Sequence, residues 1–207
     1  MNVQWVGAGA ASHIVEFHNI RVERGRAADL LPIVPGHDTS VYFAVAETPD
    51  RLMAINGYTD LAYRRRALLA AYADPGWPML RRQRSDAIAD ESVHLMRALN
   101  PGGLRLGPAP RACLAIISEL RFQEQIGNYH LWLRLFLRKA GMDPFASFAT
   151  LEMENEFPAV PVRRNRSEHI ALMRPSGPVP PLPPELRAML RFQPECLMLE
   201  PQRLRLR

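Results

Sequence analysis

Glu16 and His18 are two residues of this chain whose types and spacing could support acid–base chemistry. They lie in the segment 13–22, which is rich in β-branched and aromatic residues and is typical of a β-strand. Residues two positions apart in a strand point to the same face, so the carboxylate and the imidazole are predicted neighbours. Such a pair could orient a proton-transfer step, and it could equally be structural.

A second acidic group occupies alternate positions near the middle of the chain, at Glu152, Glu154 and Glu156. On a strand these carboxylates would share one face, roughly 6–7 Å apart. A solvated face explains the pattern. The alternative is that Glu152 lines a pocket, where burial raises its pKa and lets it act as a catalytic base.

A third group of candidates surrounds the junction between a predicted strand ending at Tyr58 and the helix that follows it. Tyr58 is a candidate catalytic residue, and Tyr58 and Arg64 could contact a small molecule from this junction. The alternative is packing, with Trp77 filling the gap beneath the sheet and Arg64 forming a salt bridge. The candidate substrate-binding residues are Tyr42, Asn56, Arg64, Trp77, Tyr129 and His169.

Motifs of other chemistries are missing. The sequence has no phosphate-binding loop, no Gly-x-Ser-x-Gly and no His-Glu-x-x-His, and its histidines lack metal-ligand spacing. We therefore expect no metal and no cofactor. Haem stays open as an alternative because it needs one histidine aimed into a cavity. The histidines available for that role are His18, His94, His130 and His169.

Composition narrows the class of protein further. The 207 residues carry a net charge of +5, which permits an anionic partner without requiring one. The RNA-binding octapeptide and its stacking aromatic residues are missing, so no nucleic-acid partner is expected. No apolar run or leader is visible, which predicts no membrane partner and a cytoplasmic protein. Two cysteines are too few for a disulfide scaffold or a structural zinc site.

The elements that must position these residues repeat along the chain. A linker rich in proline and glycine, 100–110, separates two similar halves. In the helix predicted from 59 or 60 to about 72, Leu61, Leu68 and Tyr72 are expected to face inward and Arg64 to Arg66 mostly outward. The first half is predicted to contain strands 13–22, 39–47, 51–58 and 92–99, with helices within 25–35, from 59 or 60 to about 72, and over 77–89. The second half is predicted to contain strands 111–120, 145–154, 167–174 and 195–199, with helices 123–140 and 185–191.

This order of elements is that of the ferredoxin-like unit. The fold class is therefore α+β, with two tandem ferredoxin-like units, 13–99 and 111–205, that pack face to face and form an α+β barrel. The first and last strands of such a unit are adjacent and antiparallel. Cys113 and Cys196 lie near the starts of two such strands, at opposite ends of the pair, which argues against a disulfide between them.

The segment from Arg51 to Trp77 resembles the NIPSNAP family. It has a strand that ends in Gly57-Tyr58, then Asp60, the arginines 64–66, and the turn Pro75-Gly76-Trp77. The segments Glu154–Arg163 and Leu199–Pro201 are similar to the family's later hairpin and closing strand, so the resemblance covers about 13–205. It implies a dimeric α+β barrel, here made of two fused halves, in a superfamily of cofactor-independent monooxygenases, haem proteins and proteins without known activity.

Two departures from the family bear on function. The helix between the first two strands is short, and Ala54 and Asn56 stand where family members tend to carry Trp and Arg. The pocket of the first half is therefore remodelled or disabled. We expect an enzyme of specialised metabolism that catalyses proton transfer, cyclisation or cofactor-free oxidation on a partly apolar small molecule, as a monomer or homodimer. The alternatives are a non-catalytic binding or scaffold protein and a haem-binding barrel.

Overall fold

The computed structural model describes residues 11–23, 40–105, 111–154, 157 and 160–202. These residues include eight strands and four α-helices. The strands of the first half are β1 (Ile14–Val22), β2 (Ser40–Val45), β3 (Thr48–Tyr58) and β4 (Ile88–Ala98), and its helices are α1 (Leu61–Ala73) and α2 (Trp77–Ala87). The strands of the second half are β5 (Cys113–Glu119), β6 (Pro144–Thr150), β7 (Glu168–Met173) and β8 (Glu195–Gln202), and its helices are α3 (Ile126–Lys139) and α4 (Pro184–Ala188).

The eight strands form a closed barrel in the order β1-β3-β2-β8-β5-β7-β6-β4, and every neighbouring pair is antiparallel. Each half contributes four adjacent strands in the ferredoxin-like order, in which the first strand lies between the fourth and the third. The two halves meet where β4 pairs with β6 and β2 pairs with β8. The predicted α+β barrel is confirmed, whereas the residue boundaries of the two units stay a prediction.

Apolar side chains fill the inside of the barrel. The rings of Phe17 and Phe148, one from each half, meet edge to face with their centroids 5.1 Å apart. Two further apolar layers lie outside the barrel, one beneath α1 and α2 and one beneath α3 and α4. Because small barrels pack their interior with side chains, a ligand site is expected in one of the outer layers.

Several predicted boundaries differ from the structure. Strand β4 begins at Ile88, four residues earlier than predicted, because it pairs with the full length of β1 out to Val22. Strand β6 ends at Thr150, four residues earlier than predicted. The hairpin of β2 and β3 is confirmed, but Val45 pairs with Thr48, so its turn is Ala46-Glu47, three residues before the predicted Pro49-Asp50. The short helix predicted within 25–35 lies outside the described residues.

The inner face of α1 also differs from the prediction. The helix begins after Asp60, whose carboxylate caps it by accepting a hydrogen bond from the backbone N–H of Tyr63 at 2.7 Å. Its buried residues are Arg64, Leu68 and Ala71, whereas Leu61 is 37% exposed. The outward orientation predicted for Arg64 is therefore wrong. Arg64 precedes Leu68 by four positions and so shares its face.

Two further expectations concern the cysteines and the membrane. Cys113 and Cys196 are both free thiols. Burial raises the pKa of the Cys113 thiol to about 12, so it stays protonated. Within the described ranges, no helix combines the length and the apolar character that crossing a membrane would need.

Candidate active site

The outer face of β1, beneath α1, carries Glu16 and His18, and both side chains are almost fully buried. His18 Nε2 lies 3.3 Å from Glu16 Oε2, so the predicted neighbours are in contact. The register of β1 with β3 places Asn56 opposite Glu16 and Tyr58 opposite Ile14. Four of the predicted site residues are thereby brought together by two paired strands.

Glu16 is surrounded by hydrogen-bond donors. The Tyr58 hydroxyl donates to Oε2 at 2.9 Å, while Arg64 donates from Nε to Oε1 at 2.7 Å and places Nη2 2.6 Å from the same oxygen. Burial alone would raise the pKa of Glu16, but the contacts with His18 and Arg64 outweigh it and lower the pKa to about 2. Glu16 is therefore a fixed carboxylate that holds its neighbours in place.

His18 lies between two carboxylates. Its Nδ1 is 2.8 Å from Oε1 of Glu91, on the opposite side of the ring from Glu16. Burial lowers the pKa of His18, but the two carboxylates outweigh burial and raise it above the ordinary 6.5. This arrangement favours the protonated imidazolium, in which both ring nitrogens donate.

A protonated His18 can only donate hydrogen bonds, so the side-chain amide of Asn56 can pair with it only when the amide oxygen faces the ring. Its Nδ2 lies 3.1 Å from His18 Nε2, and its buried Oδ1 has no hydrogen-bond partner among the described residues. Amide nitrogen and oxygen are assigned from the hydrogen-bond network. Turning the amide over would present the unpaired Oδ1 to the N–H of the imidazolium and satisfy both groups.

Glu91 was not predicted from the sequence. It lies on the extended part of β4, and Arg84 of α2 contacts Oε1, the same oxygen that His18 approaches. Burial raises the pKa of Glu91, but His18 and Arg84 outweigh it and lower the pKa. The sequence prediction missed Glu91 because it ended the helix at 89 and started the strand at 92. The alternation of Glu91, Val93 and Leu95 was the signal that could have revealed it.

A small cavity adjoins this cluster beneath α1 and α2. The lining residues are Glu16, His18, Leu68, Ala71, Tyr72, Trp77, Arg84, Glu91, Val160 and Pro161. Its volume is about 10 Å³, which leaves room for about one water molecule. A larger ligand therefore requires lining side chains to move. One of these is Trp77, whose ring meets Tyr72 edge to face at 5.1 Å.

Tyr129 and His169 come together in the other half, beneath α3. Their ring centroids are 5.4 Å apart, Tyr129 shares a 2.8 Å hydrogen bond with Ser118, and His130 Nδ1 lies 3.1 Å from His169 Nε2. Burial, with a smaller contribution from His130, lowers the pKa of His169 to about 3, so its imidazole is neutral. Neither Tyr129 nor His169 lines the cavity beneath α1 and α2.

Two candidates lie away from both clusters. Tyr42 is buried in the apolar layer that contains Leu52 and Ala54, and it does not line the cavity. Glu152 is exposed and follows the end of β6, as does Glu154. The pocket predicted around Glu152 is therefore wrong, because the strand that would have aligned the glutamates ends at Thr150. Glu156 lies outside the described residues.

A wider groove of about 330 Å³ lies around α4, lined by Leu182, Leu190 and Phe192 among others. None of the candidate site residues lines it.

Of the four candidate histidines only His18 lines the cavity beneath α1 and α2, and it does not fit the role of a haem ligand. His18 is bound by Glu16 and Glu91, His94 by Glu168, and His169 is fully buried against His130. An axial ligand needs a free ring nitrogen facing a haem-sized space, and the cavity that His18 lines has room for about one water. Within the described part of the chain, no three or more His, Cys, Asp or Glu side chains are placed to share a metal ion.

Comparison with solved structures agrees with the fold. The chain is similar to an anthrone oxidase-like protein, with a TM-score of 0.59 and 10% identity over 93% of this chain and 92% of that one. It is also similar to a candidate monooxygenase from Lactobacillus acidophilus NCFM, with a TM-score of 0.47 and 7% identity over 92% and 94% of the two chains. No family model and no curated protein matches the sequence. At 10% identity the likeness to the anthrone oxidase-like protein shows the fold alone, an α+β barrel.

Proposed function

We propose that this chain binds a small, partly apolar molecule beneath α1 and α2 and transfers a proton to or from it. The observation that supports this most strongly is the buried His18 imidazole, held between Glu16 and Glu91 at the wall of a cavity. Buried ionisable groups with shifted pKa values are typical of functional sites. The rest of the lining supplies the apolar contacts.

The two carboxylates would have different roles. Glu16 accepts hydrogen bonds from Tyr58 and Arg64, so it positions His18 and stabilises its positive charge. Glu91 has a 12% exposed side chain and lines the cavity, so a ligand can reach it. The proton on His18 Nδ1 would pass to Oε1 of Glu91, and the resulting carboxylic acid would protonate the ligand. The reverse path would remove a proton from the ligand, and the two steps at different ligand atoms amount to an isomerisation.

Hydrogen exchange on a bound ligand would test this proposal even while the overall reaction is unidentified. A compound screen by thermal shift identifies ligands. Each ligand is then incubated with the protein in D₂O, and NMR follows exchange at its acidic C–H positions. Loss of the acid–base group should slow exchange by about 10²–10⁴-fold in His18→Gln and Glu91→Gln. Glu152→Gln is the matched control and should exchange at the native rate.

The same experiment separates the proposal from its non-catalytic alternative. The small cavity of about 10 Å³, together with Ala54 and Asn56 in place of the family's larger residues, favours a non-catalytic binding or scaffold protein that retains the barrel. Binding without any catalysed exchange would support that alternative. If no compound raised the melting temperature, the ligand site itself would be excluded.

Family membership and assembly are further parts of this proposal. Tyr58, Arg64 and Trp77, which carry the resemblance to the NIPSNAP family, all border the same cluster or cavity. We propose on this basis that the chain belongs to that family, and that it is a cytoplasmic protein. The barrel closes within a single chain, so we expect a monomer in light scattering after size-exclusion chromatography.

A further inference from the structure

The structure points to a specific class of ligand for this cavity, and the inference rests on the proposed function. We infer that the ligand is an aromatic carboxylate whose anionic oxygen binds Arg84. Arg84 lies on α2 and lines the cavity, and its side chain is 15% exposed.

The hydrogen bonding of Arg84 is incomplete. Its Nη2 contacts Oε1 of Glu91, an oxygen that His18 already approaches at 2.8 Å. Its Nε is buried and has no acceptor among the described residues. Buried donors in proteins are normally paired, so an unpaired guanidinium N–H at a cavity wall indicates a missing acceptor. A ligand oxygen in the cavity would supply it.

The charges around the cavity also lack an anion. Glu16 and Glu91 contribute two negative charges, against three positive charges from Arg64, Arg84 and the protonated His18. The described cluster therefore carries a net charge of +1, which a monoanionic ligand would neutralise. A carboxylate also matches the planar guanidinium, which binds such groups through paired N–H donors.

The remaining walls indicate what the carboxylate is attached to. Leu68 and Ala71 of α1 and the rings of Tyr72 and Trp77 form the apolar side of the cavity. Stacked or edge-to-face contacts with these rings favour an aromatic body. Because the cavity has room for about one water, such a ring can enter only if lining side chains move, and contact with Trp77 should change the fluorescence of that residue.

Benzoate and its neutral analogue benzamide test the inference directly. Binding is measured by calorimetry, with Trp77→Phe used to identify the fluorescence change. Native protein should bind benzoate about tenfold or more tightly than benzamide, the effect expected of one charged hydrogen bond. Arg84→Gln should remove this preference. Arg82→Gln, an exposed arginine on the same helix, is the matched control and should retain it. Glu91→Gln should strengthen benzoate binding because it removes a competing negative charge.

The outcomes distinguish the inference from the proposed function. If benzamide bound as tightly as benzoate and Arg84→Gln changed neither, Arg84 would not be the anion site, although the cavity would remain a ligand site. Equal weakening by Arg82→Gln and Arg84→Gln would reduce the effect to general surface charge and overturn the inference. If neither probe bound while other compounds did, aromatic carboxylates would be the wrong class. Circular dichroism and melting temperatures verify that each variant is folded, and the opposite sign expected for Glu91→Gln does not depend on Arg84→Gln folding.

Discussion

The two layers outside the barrel rest on the same strand order but differ in their buried polar chemistry. Beneath α1, the first strand pairs with the third through Glu16 and Asn56, and the buried contacts are between charged groups. Beneath α3, the first strand pairs with the third through Ser118 and His169, and the buried contacts are between neutral groups. One fold thus accommodates a compensated charge cluster in one half and a neutral hydrogen-bonded layer in the other.

The difference bears on the proposed function, which assigns the ligand site to the layer beneath α1 and α2. Moving charged groups out of water costs several kcal/mol per ion, and well-packed apolar residues are often as stable or more so. The layer beneath α3 is mainly apolar, with Tyr129, Leu133 and Leu137 packed on the sheet. The first layer instead contains Glu16, His18 and Arg64, so stability alone does not account for its composition. Ligand binding or chemistry accounts for it better.

The largest expected effect on stability comes from breaking the charge cluster. Glu16→Gln leaves Arg64 buried without its carboxylate partner and His18 with Glu91 alone, and we expect a loss of about 3–5 kcal/mol in the free energy of unfolding. Urea denaturation followed by circular dichroism measures this loss. The double variant Glu16→Gln, Arg64→Met removes a cation together with the anion and should recover part of it. A single-variant loss below about 1 kcal/mol would mean that the cluster is solvated rather than buried.

The two halves should also respond oppositely to pH. His169, with its pKa lowered to about 3 from the ordinary 6.5, stabilises the fold above pH 6.5, and this contribution is lost as the pH falls below that value. His130 acts in the same direction because burial, and then Arg134, lower its pKa. His18 has a raised pKa, so its contribution is present below 6.5 and is lost as the pH rises through its folded-state pKa.

Denaturation at several pH values separates these contributions. Between pH 7 and pH 5 the neutral, buried His169 should cost the fold about 2 kcal/mol, since the unfolded chain gains a proton there. His169→Gln should remove this acid-side loss and leave the alkaline side unchanged. His18→Gln should do the reverse. Identical pH profiles for the two variants would contradict the comparison between the halves.

The sequence predicted the barrel because strand and helix periodicity are local, and two copies of one element order leave few ways to pack. It predicted the contact of Glu16 with His18 for the same reason, since residues two positions apart share a strand face. It missed the inward position of Arg64, although the spacing from Leu68 favours that face, because the carboxylate that compensates its charge, Glu16, is distant in sequence. It missed Glu91 because the predicted strand began at 92. The prediction of a pocket at Glu152 was wrong because no helix- or strand-breaking residue marks the end of β6 at Thr150.

A smaller effect is expected from the neutral layer. Tyr129→Phe removes the hydrogen bond to Ser118 and leaves the buried Ser118 hydroxyl without that partner. The expected loss is about 1–2 kcal/mol, since a neutral unsatisfied group costs less than an unpaired charge. Denaturant unfolding compares this variant with Glu16→Gln. The double variant Tyr129→Phe, Ser118→Ala, which removes both hydroxyls, should lose less than the sum of its singles, and additive losses would argue against the hydrogen bond.

The smallest effect is expected from Glu152→Gln, which makes the same chemical change as Glu16→Gln at an exposed position. Its stability should stay within about 0.5 kcal/mol of the native protein, because surface substitutions without buried partners rarely do more. Ligand binding and proton exchange should be unchanged as well. A large effect on exchange would make Glu152 a catalytic candidate again and would place the reactive pocket near the end of β6. The contrast between these two glutamates therefore tests whether burial and pairing, rather than residue type, define the site.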